Sequence, residues 1–402
     1  IEAGCRILAR APLSQVRRIS VPAGMTVEQA VAVFSALPEV ACVEPNFYRY
    51  PCWRPDDRYY DLQWHFPQID VERAWEVSRG DPAVRVAVLD TGIAYSDGAD
   101  QEQLQCCSPT LYSGLIQYCK ANDFNETPFW GPWDYYYNDP YAWDDEGHGT
   151  HVAGTIAQST DNNRGVAGIA HLCTLIPVKI SDSCGCSNDY YMAEAVYYAI
   201  NAGAAVINIS FGGPGAGAIL RDACRFAHDS GVWIVASAGN DASHDGVSYP
   251  AGYPETIAVG ATNYRKELAD YSNYGENSYG AGVDFVAPGG DSNDYNDDGY
   301  LDGVIQETFP SPTKSGGTLN LYTCGHFAYY FFTGTSMAAP HVTGTIALLI
   351  SAGVTDRDEI YGVLKATAED LGVSGRDIRF GNGLINAGDA LEYAEYGWGL
   401  NN

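Results

Sequence analysis

The 402-residue sequence contains no run of about 18 consecutive apolar residues, the length a membrane-spanning helix needs. It opens at Ile1 without a charged stretch followed by an apolar one, so the expectation is that any secretion signal has already been removed. Basic residues are scarce: 22 Lys and Arg stand against 50 Asp and Glu, a formal net charge of −28. Residues 1–54 carry six of the basic and four of the acidic groups, so nearly all of the negative charge lies beyond them. Such a surface repels nucleic acid and anionic lipid, and it attracts divalent cations or basic partners. None of the 11 cysteines stands in the C-x-x-C spacing of a zinc site. That favours disulfides and a secreted, extracellular protein over buried reduced thiols, and the odd count leaves at least one thiol unpaired within the chain.

The patterning divides the chain. Residues 16–23 and 40–48 read as strands around a helix from about Thr26 to Leu37, whose apolar Ala30, Val31, Val33 and Phe34 fall near helical spacing. Residues 51–60, rich in Pro, Asp and Tyr, read as a linker to a large domain over 61–402. There, apolar β-branched runs such as Val84–Leu89, Thr174–Ile180, Val206–Ile209 and Val283–Ala287 alternate with helical stretches. Runs that are apolar on both faces suit strands buried between helix layers, so the expectation is an α/β fold with a mostly parallel sheet. Residues 100–147 and 288–332 are polar, aromatic and glycine-rich, and read as large surface loops.

Three motifs carry chemistry. Val86-Ala-Val-Leu-Asp90-Thr-Gly92 is an apolar strand ending in an acid, and strand carboxyl ends line the functional crevice of a parallel sheet. Taken alone, Asp90 could equally be a loop or cap acid. Gly147-His148-Gly-Thr-His151 opens a helix of small residues. The positive end of that helix should lower the pKa of His148 and suit it as a neutral general base, with a zinc pair or a core histidine as alternatives. Thr333-Gly-Thr-Ser336-Met-Ala-Ala-Pro340 places a hydroxyl at a helix entry beside backbone amides, which suits a nucleophile or, more plainly, a cap.

Asp, then His, then Ser in these contexts resembles the subtilase family of serine proteases, over roughly residues 55–395. The resemblance implies a three-layer α/β/α fold and a serine endopeptidase that hydrolyses proteins and peptides. In it Ser336 attacks the scissile carbonyl, His148 moves the proton and Asp90 orients the imidazole. It also implies that Asn240, in Ala236-Ser-Ala238-Gly239-Asn240, donates to the oxyanion, and that Ser210-Phe211-Gly212 pairs with the substrate backbone. Ser248 falls where many relatives carry a glycine on the floor of the main specificity pocket. A small floor residue without an acid predicts acceptance of large apolar or aromatic side chains.

Asp294, Asn296, Asp298, Tyr300 and Asp302 follow the ligand spacing of an EF-hand-like loop with Gly299 at the turn, which suits a structural Ca2+ ion. Ile305 stands where the loop's bidentate glutamate belongs, with Glu307 close by. Asp57 and Asn163 resemble ligands of a calcium site in thermitase-like relatives, and Asn138, Asp139, Asp144 and Asp145 read as a second cation cluster or a solvated loop. Residues 1–50 resemble an inhibitory propeptide, which implies a self-processing zymogen cut near Tyr50–Pro51. No nucleic-acid or membrane partner is expected.

Overall fold

The computed structural model describes residues 7–10, 16–22, 24–45, 53–105, 110–310 and 324–396, and the chain forms two compact units that part between Cys52 and Trp53. In the smaller unit an antiparallel pair, β1 (Ile7–Arg10) and β2 (Arg17–Ile19), precedes helix α1 (Val27–Ser35). The helix starts where the sequence supplies reciprocal caps: Gln29 N donates to Thr26 Oγ1 at 3.2 Å, and Thr26 N donates to Gln29 Oε1 at 3.0 Å. The strand expected over 40–48 is absent from 40–45, and 46–48 lie outside the described residues; the partner of β2 is the earlier β1.

The segment read as a linker is built into the larger unit from Trp53 onward. Trp53 N donates to Glu76 Oε1 at 2.9 Å, its ring meets Trp75 at 5.3 Å, and Tyr60 is buried in the core. Short helices α2 (His65–Gln68) and α3 (Val71–Ala74) follow and lead into β3 (Arg85–Asp90). A hairpin of β4 (Gly98–Gln105) and β5 (Thr110–Tyr118) comes next, then β6 (Trp133–Asp134), α4 (His148–Ala157), β7 (Thr174–Lys179), α5 (Asp189–Asn201) and β8 (Val206–Ile209). Beyond them lie α6 (Ala218–Asp229), β9 (Trp233–Ser237), β10 (Ile257–Thr262) and β11 (Phe285–Pro288). A second hairpin, β12 (Val304–Thr308) with β13 (Ala328–Phe332), precedes α7 (Thr335–Ser351), α8 (Arg357–Thr367) and α9 (Ala387–Tyr396).

Seven strands form one parallel sheet in the order β11-β10-β9-β8-β3-β7-β6. Helices α4 and α7 pack together on one face and α5 and α6 on the other, the three-layer arrangement anticipated. Because β3, β7, β8 and β9 are covered on both faces, they read as unbroken apolar runs rather than alternating ones. Helix α7 is buried from Thr335 to Leu349, which explains its all-round small and apolar sequence.

The two long segments expected to be loops each contain an antiparallel hairpin, β4–β5 and β12–β13. Their strands, GADQEQLQ above all, are too polar to announce themselves by alternation. A disulfide between Cys119 and Cys324 ties the end of the first hairpin to the connection between the two strands of the second, just before β13. Cys184 and Cys186 are also disulfide-bonded, while Cys42, Cys173 and Cys224 are free thiols.

Candidate active site

The sheet delivers the site by bringing strand ends to one edge. Asp90 closes β3, and the neighbouring strand β8 runs out into Ser210 and Phe211. His148 Nδ1 lies 2.7 Å from Asp90 Oδ1, and that oxygen also accepts Thr91 N at 2.8 Å. Asp90 is fully buried and His148 a quarter exposed, the form expected of an acid that orients a ring whose far edge faces the cleft.

The expectation that the helix start lowers the pKa of His148 is overturned. Burial does oppose charge on the ring. The Asp90 carboxylate, its hydrogen bond, Glu146 and Asp144 outweigh burial, and the imidazole is pushed up to about 9. The reason lies in how α4 is capped. Asp144 accepts the amides of Glu146, Gly147 and Thr150, and Glu146 accepts the amide of His148, so two carboxylates sit at the positive end of the helix. In the cluster of Asn138, Asp139, Asp144 and Asp145 the acids have partners within the protein. Asp144 is a cap, Asp145 pairs with Lys179 at 2.5 Å, and Asp139 accepts Tyr141 N at 2.8 Å.

Ser336 occupies the first turn of α7 and is joined to the end of β8 in both directions. Its Oγ donates to the Ser210 carbonyl at 3.1 Å, and Ser210 Oγ donates to the Ser336 carbonyl at 2.9 Å. That carbonyl is available because the residue four ahead is Pro340, which has no N–H to offer it. No hydrogen bond joins Ser336 to His148 among the described residues, and the Phe211 ring meets His148 edge-on at 5.9 Å. Unliganded nucleophile–base contacts are often this loose, and a turn of χ1 would release the hydroxyl from Ser210.

Asn240 is oriented by Thr335, whose amide and hydroxyl both donate to Asn240 Oδ1 at 2.9 Å. Its Nδ2 is left as a donor. Gly334, at φ +150°, keeps open a point 3.5 Å from Asn240 Nδ2 and 3.7 Å from Ser336 N, which any side chain at 334 would fill. Nearby, Gly239 has φ +104°, and a Cβ there would come within 2.4 Å of Ser248 Oγ. Ser248 N donates to the Ala238 carbonyl at 2.8 Å, and Gly213 bridges to Tyr249, so Ser248 lies between the Ser210–Gly212 and Ala238–Gly239 segments. Asn273 rather than an acid stands behind it, with Nδ2 3.4 Å from Ser248 Oγ.

The other expected ligands fare unevenly. In the 294–302 loop, Asp294 and Asn296 accept Asp298 N, Asp294 accepts Gly299 N, and Asp298 accepts Tyr300 N. Asp302 is buried and accepts Tyr295 N, while its Oδ1 has no partner. Glu307 does not turn to this loop; it accepts Asp123 N at 2.7 Å. Asn163 does not join Asp57 either, because at φ 61° it directs its amide to Asp56 at 2.9 Å. Its neighbour Asn162 reaches Asp123 Oδ1 at 3.0 Å. Burial pushes Asp57 up to about 6 and Asp123 up to about 7, the latter aided by Glu307 and Asp57. Asp123 was missed from sequence because a lone acid in an acidic chain carries no signal. No group of three or more His, Cys, Asp or Glu side chains converges on a common point among the described residues.

Comparison with known proteins decides the family. A subtilase family model matches residues 81–383, and a fervidolysin N-terminal prodomain model matches residues 2–46. The chain belongs to the subtilase family. It is 33% identical over 368 residues to a thermophilic serine proteinase of a Bacillus species, covering 91% of this chain and 76% of that one. It is 30% identical to thermitase of Thermoactinomyces vulgaris, covering 85% of this chain and all of that one. A solved protease structure from Pseudoalteromonas arctica superposes with a TM-score of 0.65 at 28% identity, covering 85% of this subtilase and 99% of the other chain. The protein is thus a serine endopeptidase preceded by a prodomain, and its substrates are proteins and peptides.

Proposed function

We propose that this subtilase cleaves peptide bonds with Ser336 as nucleophile, His148 as general base and then acid, and Asp90 as the group that orients and charge-stabilises the imidazole. The observation that carries the reading is the 2.7 Å contact of His148 Nδ1 with buried Asp90. It fixes the tautomer so that Nε2 carries the lone pair and faces the cleft. Ser336 Oγ attacks the scissile carbonyl, its proton passes to His148 Nε2, and the tetrahedral oxyanion accepts from Asn240 Nδ2 and Ser336 N. Collapse expels the amine with the proton from His148, and water repeats the sequence to release the acyl group. Ser210, Phe211 and Gly212 take the substrate backbone as an added strand. Ala238, Gly239 and Ser248 bound a pocket that prefers large apolar or aromatic side chains, because no carboxylate lies on its floor.

Calcium has a structural role in this reading. In the 294–302 loop the orphaned Asp302 Oδ1, with Asp294, Asn296, Asp298 and the Tyr300 carbonyl, fits a hard cation. Asp57, whose Oδ1 is also buried without a partner, fits one together with the neighbouring acid Asp123. The enzyme is proposed to be secreted, in keeping with its disulfides, and to be held inactive by its prodomain until that is cut away.

Ser336→Ala is expected to reduce hydrolysis of a chromogenic peptide to a trace while leaving the melting temperature near that of the wild type, since only a hydroxyl is lost. Cleavage by the purified variant at a sizeable fraction of the wild-type rate would remove Ser336 from this role.

A further inference from the structure

Lys179 ends an apolar strand, and its side chain is only 1% exposed. Buried to this degree, its ammonium needs acceptors inside the protein. Two acceptors are in place: Asp145 Oδ1 at 2.5 Å and the carbonyl of Thr91 at 2.6 Å. Thr91 is the residue after Asp90, and Asp90 and Lys179 are register partners on adjacent parallel strands. Thr91 is in turn a junction. Its amide donates to Asp90 Oδ1, its hydroxyl donates to Asp144 Oδ1 at 2.9 Å, and that hydroxyl accepts Gly149 N at 2.8 Å from the first turn of the helix that His148 opens.

Stability alone gives little reason for a buried ion pair here, because apolar or neutral replacements of such pairs are often as stable or more so. The bond to the Thr91 carbonyl is different in kind. It fixes the Thr91–Gly92 peptide, the next link after the Asp90–Thr91 peptide whose N–H bonds the Asp90 carboxylate, and so acts on that carboxylate through the backbone of Thr91. We propose that Lys179 is a positioning residue for proteolysis: by holding the Thr91 carbonyl it sets the turn from which Asp90 aligns His148. The inference rests on the proposed roles of Asp90, His148 and Ser336.

The test neutralises both partners of the pair, and buried Asp134, which Lys179 also faces, keeps its bonds from the amides of Tyr136 and Tyr137. In Lys179→Met/Asp145→Asn both partners become neutral, whereas the Thr91 carbonyl loses its donor. Misplacement of a catalytic group by about 1 Å can cost about a hundredfold, so kcat on a chromogenic peptide is expected to fall at least tenfold, with KM within about twofold. Asp145→Asn alone leaves Lys179 on Thr91 and is expected to keep kcat within about threefold, whatever its melting temperature. Wild-type kcat in the double variant, or a loss in Asp145→Asn as large as in the double variant, overturns the proposal. Should the double variant not fold, Asp145→Asn still decides, since a large loss of kcat there is the result the proposal forbids. Ser336→Ala measured alongside keeps the two readings apart. Activity in that variant would overturn the site itself, whereas its inactivity with full kcat in the double variant would overturn only the role of Lys179.

Discussion

At His148 two electrostatic influences compete, and the nearer one prevails. The start of α4 favours a neutral ring, but Asp90 touches it, and Glu146 and Asp144 stand at the same helix end. With the imidazole pushed up to about 9, the ring holds its proton to a higher pH than an ordinary histidine does. In its proposed role as general base, His148 must be neutral to accept the proton of Ser336. The acid limb of kcat/KM is therefore expected to rise with pH and to titrate above 6.5, the value of an ordinary histidine, toward 9. The same shift has a stability sign. A folded-state pKa raised above the unfolded one stabilises the protein fully below about 6.5 and loses that contribution as pH climbs through 9. A pH profile of kcat/KM with its acid limb at or below 6.5 would contradict the charge balance described here. At this scale the sequence singles out Asp90, His148, Ser336 and Asn240 only through their motifs taken together, and the structure brings Asp90 to His148 and Asn240 to Thr335 beside Ser336. The sequence was not legible for Lys179, since a lysine at a strand end normally reaches water, or for Asp144, whose role as a cap depends on a helix start that only the fold defines.

Elements show the same division between pattern and context. The parallel strands and α7 could be read directly, because burial on all sides forces an apolar run that polar loops cannot imitate. The β4–β5 and β12–β13 hairpins could not, because β4 is polar along its length and β12, although buried throughout, carries Gln306, Glu307 and Thr308 after Val304 and Ile305. The 294–302 loop lies between. Its spacing of oxygens was visible, whereas the buried, unpartnered Asp302 Oδ1 required coordinates. Burial raises the pKa of Asp302, and Asp291, Asp294 and Asp298 add to the shift, so an unneutralised loop works against folding. A site filled at about a hundred times its Kd adds about 2.7 kcal/mol, or about 4 °C per site in a domain of this size. Calorimetry in excess EDTA is accordingly expected to show a melting temperature several degrees below that in millimolar calcium, with magnesium giving little recovery. Equal melting temperatures in the two buffers would mean that these acids bind no calcium. Asp302→Asn should shrink the difference if this loop holds one of the ions.

For the whole molecule, the question is where the chain is cut to make active enzyme. Among described residues 16–45 of the smaller unit, only Pro22 and Ala30 are buried, so this stretch encloses very little core. The larger unit is complete from Trp53, which is fixed by its bond to Glu76, by Trp75 and by Arg79, whose guanidinium lies 3.7 Å from its ring centroid. A cut beyond Trp53 would strand these contacts. The segment Phe47-Tyr48-Arg49-Tyr50 that precedes it lies outside the described residues, but its composition suits the proposed pocket, which would take a tyrosine above Ser248. Pro51 disfavours cleavage directly after Tyr50, because its ring hinders the bond and leaves no amide proton on the leaving group, and so Tyr48 gains weight. The expected outcome is a new N-terminus between Arg49 and Trp53 in active enzyme, while Ser336→Ala, lacking the proposed nucleophile, stays full length from Ile1. Mass spectrometry of the two proteins after identical incubation checks this. Active enzyme that retains Ile1 in one continuous chain would show that the prodomain is not released by cleavage, and an N-terminus beyond Tyr60 would show that the anchoring of Trp53 is not needed by the mature protease.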